Sequence, residues 1–264
     1  MANDRHVLLR ANLKQLKLPT MGAEFEKLAR EAAAANESFE QYLLRLTELE
    51  LQTRSGKAVQ RRITQGGFPV VKDFDTFDFS CVPHLNKPRV LELARGEWIE
   101  QKSNVCLVGS PGTGKTHLAV ALGLAACRRG KRVRFFTAAN LVTRLEQAQK
   151  QYQLERLMKQ LDRADLLICD ELGYLSFSKA GAELLFGVFT ERYERRSVLL
   201  TSNLAFSEWG SVFQGERMTA ALLDRLTHRC TIFEMNGESY RFRESMKNKK
   251  KKGSDAGNSK PAVE

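Results

Sequence analysis

Residues 109–116, GSPGTGKT, restrict this chain more than any other stretch in it. They satisfy G-x-x-x-x-G-K-[ST] and lie between an apolar run, NVCLVG, and a helical run that ends at Gly130. Such a segment is the turn from a buried strand into a helix. Its glycines let the backbone wrap a phosphate chain, so that N–H groups and the helix N-terminus point at the anion. Gly109, Ser110, Pro111, Gly112, Thr113, Gly114 and Lys115 are therefore expected to cradle ATP, with His117 at the edge of the same site. Lys115 is expected to reach the terminal phosphates, and the Thr116 hydroxyl to ligate Mg2+.

Downstream, the short apolar runs RVRFFT, DLLICD, SVLLTSN and CTIF alternate with helical patterns, which predicts a parallel sheet covered by helices on both faces. DLLICDE delivers Asp170 to a strand end, where a carboxylate can hold magnesium through water. The adjacent Glu171 is the expected polariser of an attacking water, the group that separates a hydrolase from a small-molecule kinase. Asn203, at the tip of SVLLTSN, is either a positioner of that water or a turn former. Arg225 and Arg229, one helical turn apart before the last apolar run, are either arginine fingers for a neighbouring subunit or surface ion-pairing residues.

The first 66 residues are polar, Leu-rich and free of strand-like runs, which predicts a small helical unit. Ser38 and Gln41 have capping-box spacing, and Phe39, Leu43, Leu46 and Leu49 are expected to form one face packed on sister helices. A basic stretch follows with no carboxylate between Glu50 and Asp73. Its Arg54, Lys57, Arg61 and Arg62 read either as contacts to DNA phosphates or as a solvated helix face. QGGFP marks a boundary, and Phe74, Phe77 and Phe79 precede the next domain. A formal net charge of +11 favours an anionic partner, nucleic acid first. No apolar run approaches the ~20 residues that span a bilayer, and no secretory signal opens the chain, so a cytosolic protein is expected. The five cysteines lack CxxC spacing and the four histidines are scattered, which leaves both types to structural roles.

Taken together, GSPGTGKTHLA, ICDELGY, LLTSN and DRLTHRC resemble the AAA+ ATPases of the IstB/DnaC-like group over about residues 74–243. The front piece, with LKQLKLPTM and FDTFDFS, is most similar to the IstB helper ATPases of insertion-sequence transposition. The resemblance implies an α/β fold. A P-loop AAA+ domain at 67–246 has a parallel sheet flanked by helices, with the Asn203 strand between those of Lys115 and Asp170. A small all-helical domain at 1–66 binds DNA or a partner, and a basic, disordered tail covers 247–264. It further implies ATP- and Mg2+-dependent self-assembly on double-stranded DNA through ATP-site interfaces, activation of a partner transposase, a bacterial cytoplasmic setting, and Arg229 ahead of Arg225 as the finger. The usual helical lid is expected to be reduced or absent, because only about thirty residues follow Phe233; Arg241 and Arg243 are candidates for its sensing arginine. Three other readings stay open at this point: a replicative helicase loader of the same group, a small-molecule P-loop kinase, and a nucleotide-gated DNA-binding module with negligible turnover.

Overall fold

A computed structural model describes residues 2–237, 239–240 and 242–243. Arg241 and the basic tail at 247–264 lie outside the described residues. The chain divides into two compact units, Met1–Arg61 and Arg62–Glu264.

The first unit is built from α1 (Ala2–Gln15), α2 (Pro19–Ala34) and most of α3 (Phe39–Gly66). Its core is Leu13, Met21, Phe25, Leu28 and Leu46. α2 starts on Pro19, and the buried carboxylate of Glu50 accepts the Thr20 and Met21 amides at 2.8 and 3.0 Å, which satisfies two of the orphan donors at a helix start. Burial opposes the charge on Glu50, yet these amides and the neighbouring Arg54 hold its carboxyl below the usual range. The capping box forms as spaced: the Gln41 amide donates to Ser38 Oγ at 3.2 Å and the Ser38 amide to Gln41 Oε1 at 3.0 Å. The expected apolar face of α3 does not. Leu46 is buried and Leu49 packs beside it, but Phe39 is 91% and Leu43 54% exposed. The stripe that packs is Tyr42, Leu46 and Leu49, with the Tyr42 hydroxyl donating to the Phe25 carbonyl at 3.1 Å. At 100° per residue Leu43 lies about 120° from Leu49 and off that face, whereas Phe39 lies within about 20° of Leu46 and is exposed as the first residue of the helix.

The second unit begins with two 3-10 turns, Phe74–Thr76 and Phe79–Cys81, followed by α4 (Lys87–Leu93) and α5 (Glu97–Glu100). Then come β1 (Asn104–Val108), α6 (Lys115–Arg128), β2 (Val133–Thr137), α7 (Ala138–Lys150), α8 (Leu154–Asp162), β3 (Leu166–Leu172) and α9 (Lys179–Arg192). The unit continues with β4 (Ser197–Ser202), α10 (Trp209–Phe213), α11 (Glu216–Thr227) and β5 (Cys230–Glu234). Asn86, Thr137 and Ser178 cap α4, α7 and α9 by accepting a backbone N–H three residues on.

All five strands form one parallel sheet in the order β2-β3-β4-β1-β5. Two apolar clusters cover it. One includes Leu118, Leu122 and Val90 against Val105, Leu107 and Ile168; the other includes Leu141, Leu185 and Phe189 against Leu167, Cys169 and Leu200. Strands buried on both faces are continuous apolar runs, as the sequence has them. Because β4 lies between β1 and β3, the loops leaving the carboxyl ends of all three converge, which is where α/β sheets bind ligands. The chain after β5 passes over this edge: the Met235 amide donates to the Val108 carbonyl at 2.7 Å and the Tyr240 amide to the Gly112 carbonyl at 3.0 Å. No helical lid follows β5 among the described residues.

Arg192, almost wholly buried, closes the far side of the sheet. Its guanidinium donates to the carbonyls of Leu161, Ala164 and Ser197, each at 2.9 Å, and burial pushes its pKa down to about 10. Arg192→Ala leaves three buried acceptors without a donor, so we expect urea unfolding to show a loss of about 3–5 kcal/mol. Cys106, Cys127 and Cys169 are buried, and all five cysteines are free thiols. No helix among the described residues is long and apolar enough to cross a membrane.

Candidate active site

β1 ends at Val108 and α6 starts at Lys115; the loop between them is the phosphate cradle of the sequence. Gly109 sits at φ +140°, and a Cβ there would run into the Met235 carbonyl. Gly114 sits at φ +92°, where a Cβ would lie 2.9 Å from the Phe77 ring. Both positions need glycine because the backbone is left-handed and closely approached. Lys115 is buried, and its ammonium curls over the loop to the Gly109 and Ser110 carbonyls, both at 2.7 Å. Thr113 Oγ1 closes the turn on the Ser110 carbonyl at 2.9 Å. A cavity of about 400 Å³ opens here, with Lys115, Thr116, Glu171, Asn203, Val70 and Tyr240 among its lining residues. All the residues singled out from the loop and from the ends of β3 and β4 are thus on one edge of the sheet.

Asp170 is 2% exposed at the end of β3. Its Oδ1 accepts from Thr116 Oγ1 at 3.0 Å and from Thr201 Oγ1 at 2.5 Å. Burial raises the Asp170 carboxyl above the usual carboxylate range, against the pull of those two hydroxyls and of Lys115. The Thr116 and Asp170 oxygens, paired this closely, form a hard oxygen donor set of the kind that suits Mg2+.

Glu171 is exposed and has φ +59°, at a bulge in the β3–β4 ladder between Cys169 and Leu172. Its amide donates to Thr201 Oγ1 at 2.9 Å. A non-glycine residue in the left-handed region costs about 1–3 kcal/mol and persists where its surroundings enforce it, and a bulge re-aims a side chain. Here it sets a buried carboxylate and an exposed one on successive residues. Thr201, which sequence reasoning missed, holds both: one hydroxyl accepts from the Glu171 amide and donates to Asp170. A threonine in an apolar strand looks like β-branched filler, and only its place one turn of pleat before Asn203 hints otherwise. Thr201→Val, which keeps the shape and removes the hydroxyl, is expected to reduce ATP hydrolysis at least about tenfold while leaving nucleotide affinity within a few-fold. Equal losses in both would make Thr201 a binding residue instead.

His117 borders the cavity, but its ring is committed to the preceding segment: Nε2 lies 2.9 Å from the Asp73 carbonyl and 3.2 Å from Thr76 Oγ1, and the imidazole meets Phe77 edge-on. It clamps the first turn of the unit onto α6. Arg243, one candidate for the sensing arginine, donates to the Cys81 carbonyl at 3.3 Å.

Arg225 and Arg229 are not in this cavity. β5 is parallel to β1 with Asn104 opposite Cys230 and Val108 opposite Glu234, so Arg229 sits at the amino edge of the sheet and the phosphate loop at the carboxyl edge. Arg225 donates to the Ala221 carbonyl at 2.8 Å and stacks over Phe186 at 5.5 Å. The exposed Arg229 side chain makes no hydrogen bond or ion pair among the described residues. Of the basic stretch, Arg54, Lys57 and Arg61 line one groove of the helical unit. Arg62 belongs to the second unit, close to Gly130 at the end of α6.

The AMPPCP-bound DnaA of Aquifex aeolicus has this fold, at a TM-score of 0.55 and 22% identity, covering 70% of this chain and 56% of that one. Among sequences, the ATP-binding protein named for insertion sequence IS21 of Pseudomonas aeruginosa is 38% identical over 89% of each chain. That named for IS5376 of Geobacillus stearothermophilus is 38% identical over 87% of this chain and 92% of its own. The family model described as IstB-like ATP binding protein matches residues 11–248, from the helical unit to past the last strand. The cradle at Lys115 over a parallel sheet is thus a P-loop ATP site, and the chain belongs to the IstB-like ATP binding proteins.

Proposed function

We propose that this ATPase is the helper of an insertion sequence: with ATP and Mg2+ it assembles on double-stranded DNA, and the assembly activates a partner transposase in the bacterial cytoplasm. The observation that carries the reading is the separation of the two halves of the catalytic apparatus. Lys115, Thr116, Asp170, Glu171 and Asn203 meet at one edge of the sheet, while Arg229 stands exposed at the other, so a subunit presents a pocket to one neighbour and an arginine to the next. In this reading Glu171 polarises the attacking water, Asn203 positions it, and Thr116 and Asp170 hold magnesium. Arg229, or else Arg225, meets the charge on the terminal phosphate from the adjacent subunit. Thr116 and Asp170 would hold Mg2+, which when bound would supply charge neutralisation for the triphosphate. The net charge of +11 supports an anionic polymer as the scaffold, and the insertion-sequence names of the relatives support a transposase over a replicative helicase as the partner.

The test measures ATP hydrolysis and particle size for the full chain with and without duplex DNA. Duplex is expected to stimulate turnover and to yield large particles with a non-hydrolysable ATP analogue, both effects fading as salt rises. Turnover indifferent to DNA, with a monomer at all nucleotide states, overturns the reading. Co-purification with a transposase or with a replicative helicase decides between the two kinds of partner.

A further inference from the structure

The helical unit carries a feature that ATP hydrolysis does not use. A groove of about 1030 Å³ runs along α1, the turn after it and the middle of α3. Its walls are two rows of cations: Arg10, Lys14 and Lys17 on one side, Arg54, Lys57 and Arg61 on the other. Arg54, Lys57 and Arg61 follow one another at three- and four-residue spacing on α3 and span two helical turns, about 10 Å, whereas Arg10 and Lys14 are one turn apart on α1 and Lys17 lies in the turn after it. The one carboxylate in the lining, Glu50, is spent on the Thr20 and Met21 amides and on Arg54 at 3.2 Å. Arg10 pairs with Glu26 at 2.8 Å. Lys14, Lys17, Lys57 and Arg61 form no ion pair among the described residues, which leaves four uncompensated charges around one groove. The rest of the lining is mostly apolar, with Leu18, Pro19, Ala23 and Ala58 beside the two hydroxyls of Thr20 and Thr53.

We infer that this groove docks an acidic amphipathic helix of a partner protein. A helix laid in the groove puts an apolar stripe on Leu18, Ala23 and Ala58, and Asp or Glu residues on its two flanks recur every 5.4 Å, in step with Arg54, Lys57 and Arg61 on one side and with Arg10 and Lys14 on the other. A sugar–phosphate backbone satisfies the cations but presses charged oxygens onto an apolar floor, where they lose hydration without a donor in return. The floor therefore decides between two polyanions that the charge alone does not separate. Arg54, Lys57 and Arg61 are on this account carboxylate contacts, and the inference stands whether or not the partner is a transposase.

The experiment uses the full chain and a fluorescent peptide of about 20 residues with Leu at i, i+3, i+4 and i+7 spacing and Glu on both flanks. A scrambled peptide of the same composition and a short DNA duplex serve as comparators. Anisotropy is expected to show the amphipathic peptide binding at least about tenfold more tightly than the scrambled one, with the preference abolished by Lys14→Glu plus Lys57→Glu. Ala58→Gln, which makes the floor polar, is expected to weaken the peptide but not the duplex. These positions are exposed or half-buried and far in sequence from the ATP site; unchanged basal ATP hydrolysis and thermal unfolding report that the variants are folded. Equal binding of the scrambled peptide overturns the inference. So does displacement of the peptide by duplex DNA with a parallel loss of DNA binding in the double variant, which makes the groove a phosphate site. A concentration-dependent self-association lost in the double variant also overturns it, since the occupant is then a second copy of this chain.

Discussion

Two inactive proteins, Glu171→Gln and Arg229→Ala, are expected to recover ATP hydrolysis when mixed. Arg229 lies at the amino edge of the sheet, across the length of β5 from the phosphate loop of its own chain, so it has no route to its own nucleotide. An arginine delivered to the transferring phosphoryl group contributes about 10³–10⁵ in rate, and Arg229→Ala alone should lose that much. In a mixed assembly, an intact pocket from the Arg229→Ala protein faces an intact arginine from the Glu171→Gln protein. Random equimolar mixing makes about a quarter of the contacts competent, so roughly a quarter of normal activity should return. The measurement is steady-state phosphate release on duplex DNA, with assembly followed in the same samples. No recovery, although both proteins assemble, removes Arg229 from the role and passes it to Arg225.

The second large effect concerns Glu171 on its own. Glu171→Gln keeps the size of the side chain and removes its capacity to polarise water, so turnover is expected to fall by about 10²–10⁴ while nucleotide affinity is retained. Lys115→Ala takes away the ammonium held on the Gly109 and Ser110 carbonyls and is expected to lose nucleotide binding itself. Equilibrium binding of a fluorescent ATP analogue beside single-turnover hydrolysis separates the two. A Glu171→Gln protein with normal turnover ends the assignment.

Much of this site was legible before any coordinates, for physical reasons. A parallel strand is buried on both faces, so β1, β3 and β4 stand out as unbroken apolar runs, and the residues just after them are fixed to one edge. The placing of the Asn203 strand between its neighbours came from resemblance, not from the runs themselves, and the sheet order agrees with it. Less legible was whatever depends on a single hydroxyl or a single backbone angle. Nothing in DLLICDE announces that Glu171 turns left-handed, and in SVLLTSN only its place before Asn203 sets Thr201, the group that bridges two acidic residues, apart from β-branched filler. The α3 stripe was misplaced because four leucine-like residues at i, i+4, i+7 and i+10 satisfy the helical period, while Tyr42, with an apolar ring and a hydroxyl that finds the Phe25 carbonyl, fits the core better. The cationic groove was invisible because its walls are some forty residues apart in the chain.

The placement of Arg229 and the phosphate loop at opposite ends of β5 and β1 has a geometrical consequence. In the head-to-tail contact proposed for this assembly the interface is heterologous, and a row of subunits built on it either closes into a ring or winds on as an open helix. An open row always ends in one subunit whose pocket has no arginine opposite it and, at its other end, one whose arginine has no pocket. Such a row has a direction, and its two ends offer different chemistry to whatever meets them. In the assembly proposed on duplex DNA, which has no overall polarity, the protein alone would supply the distinction between front and back.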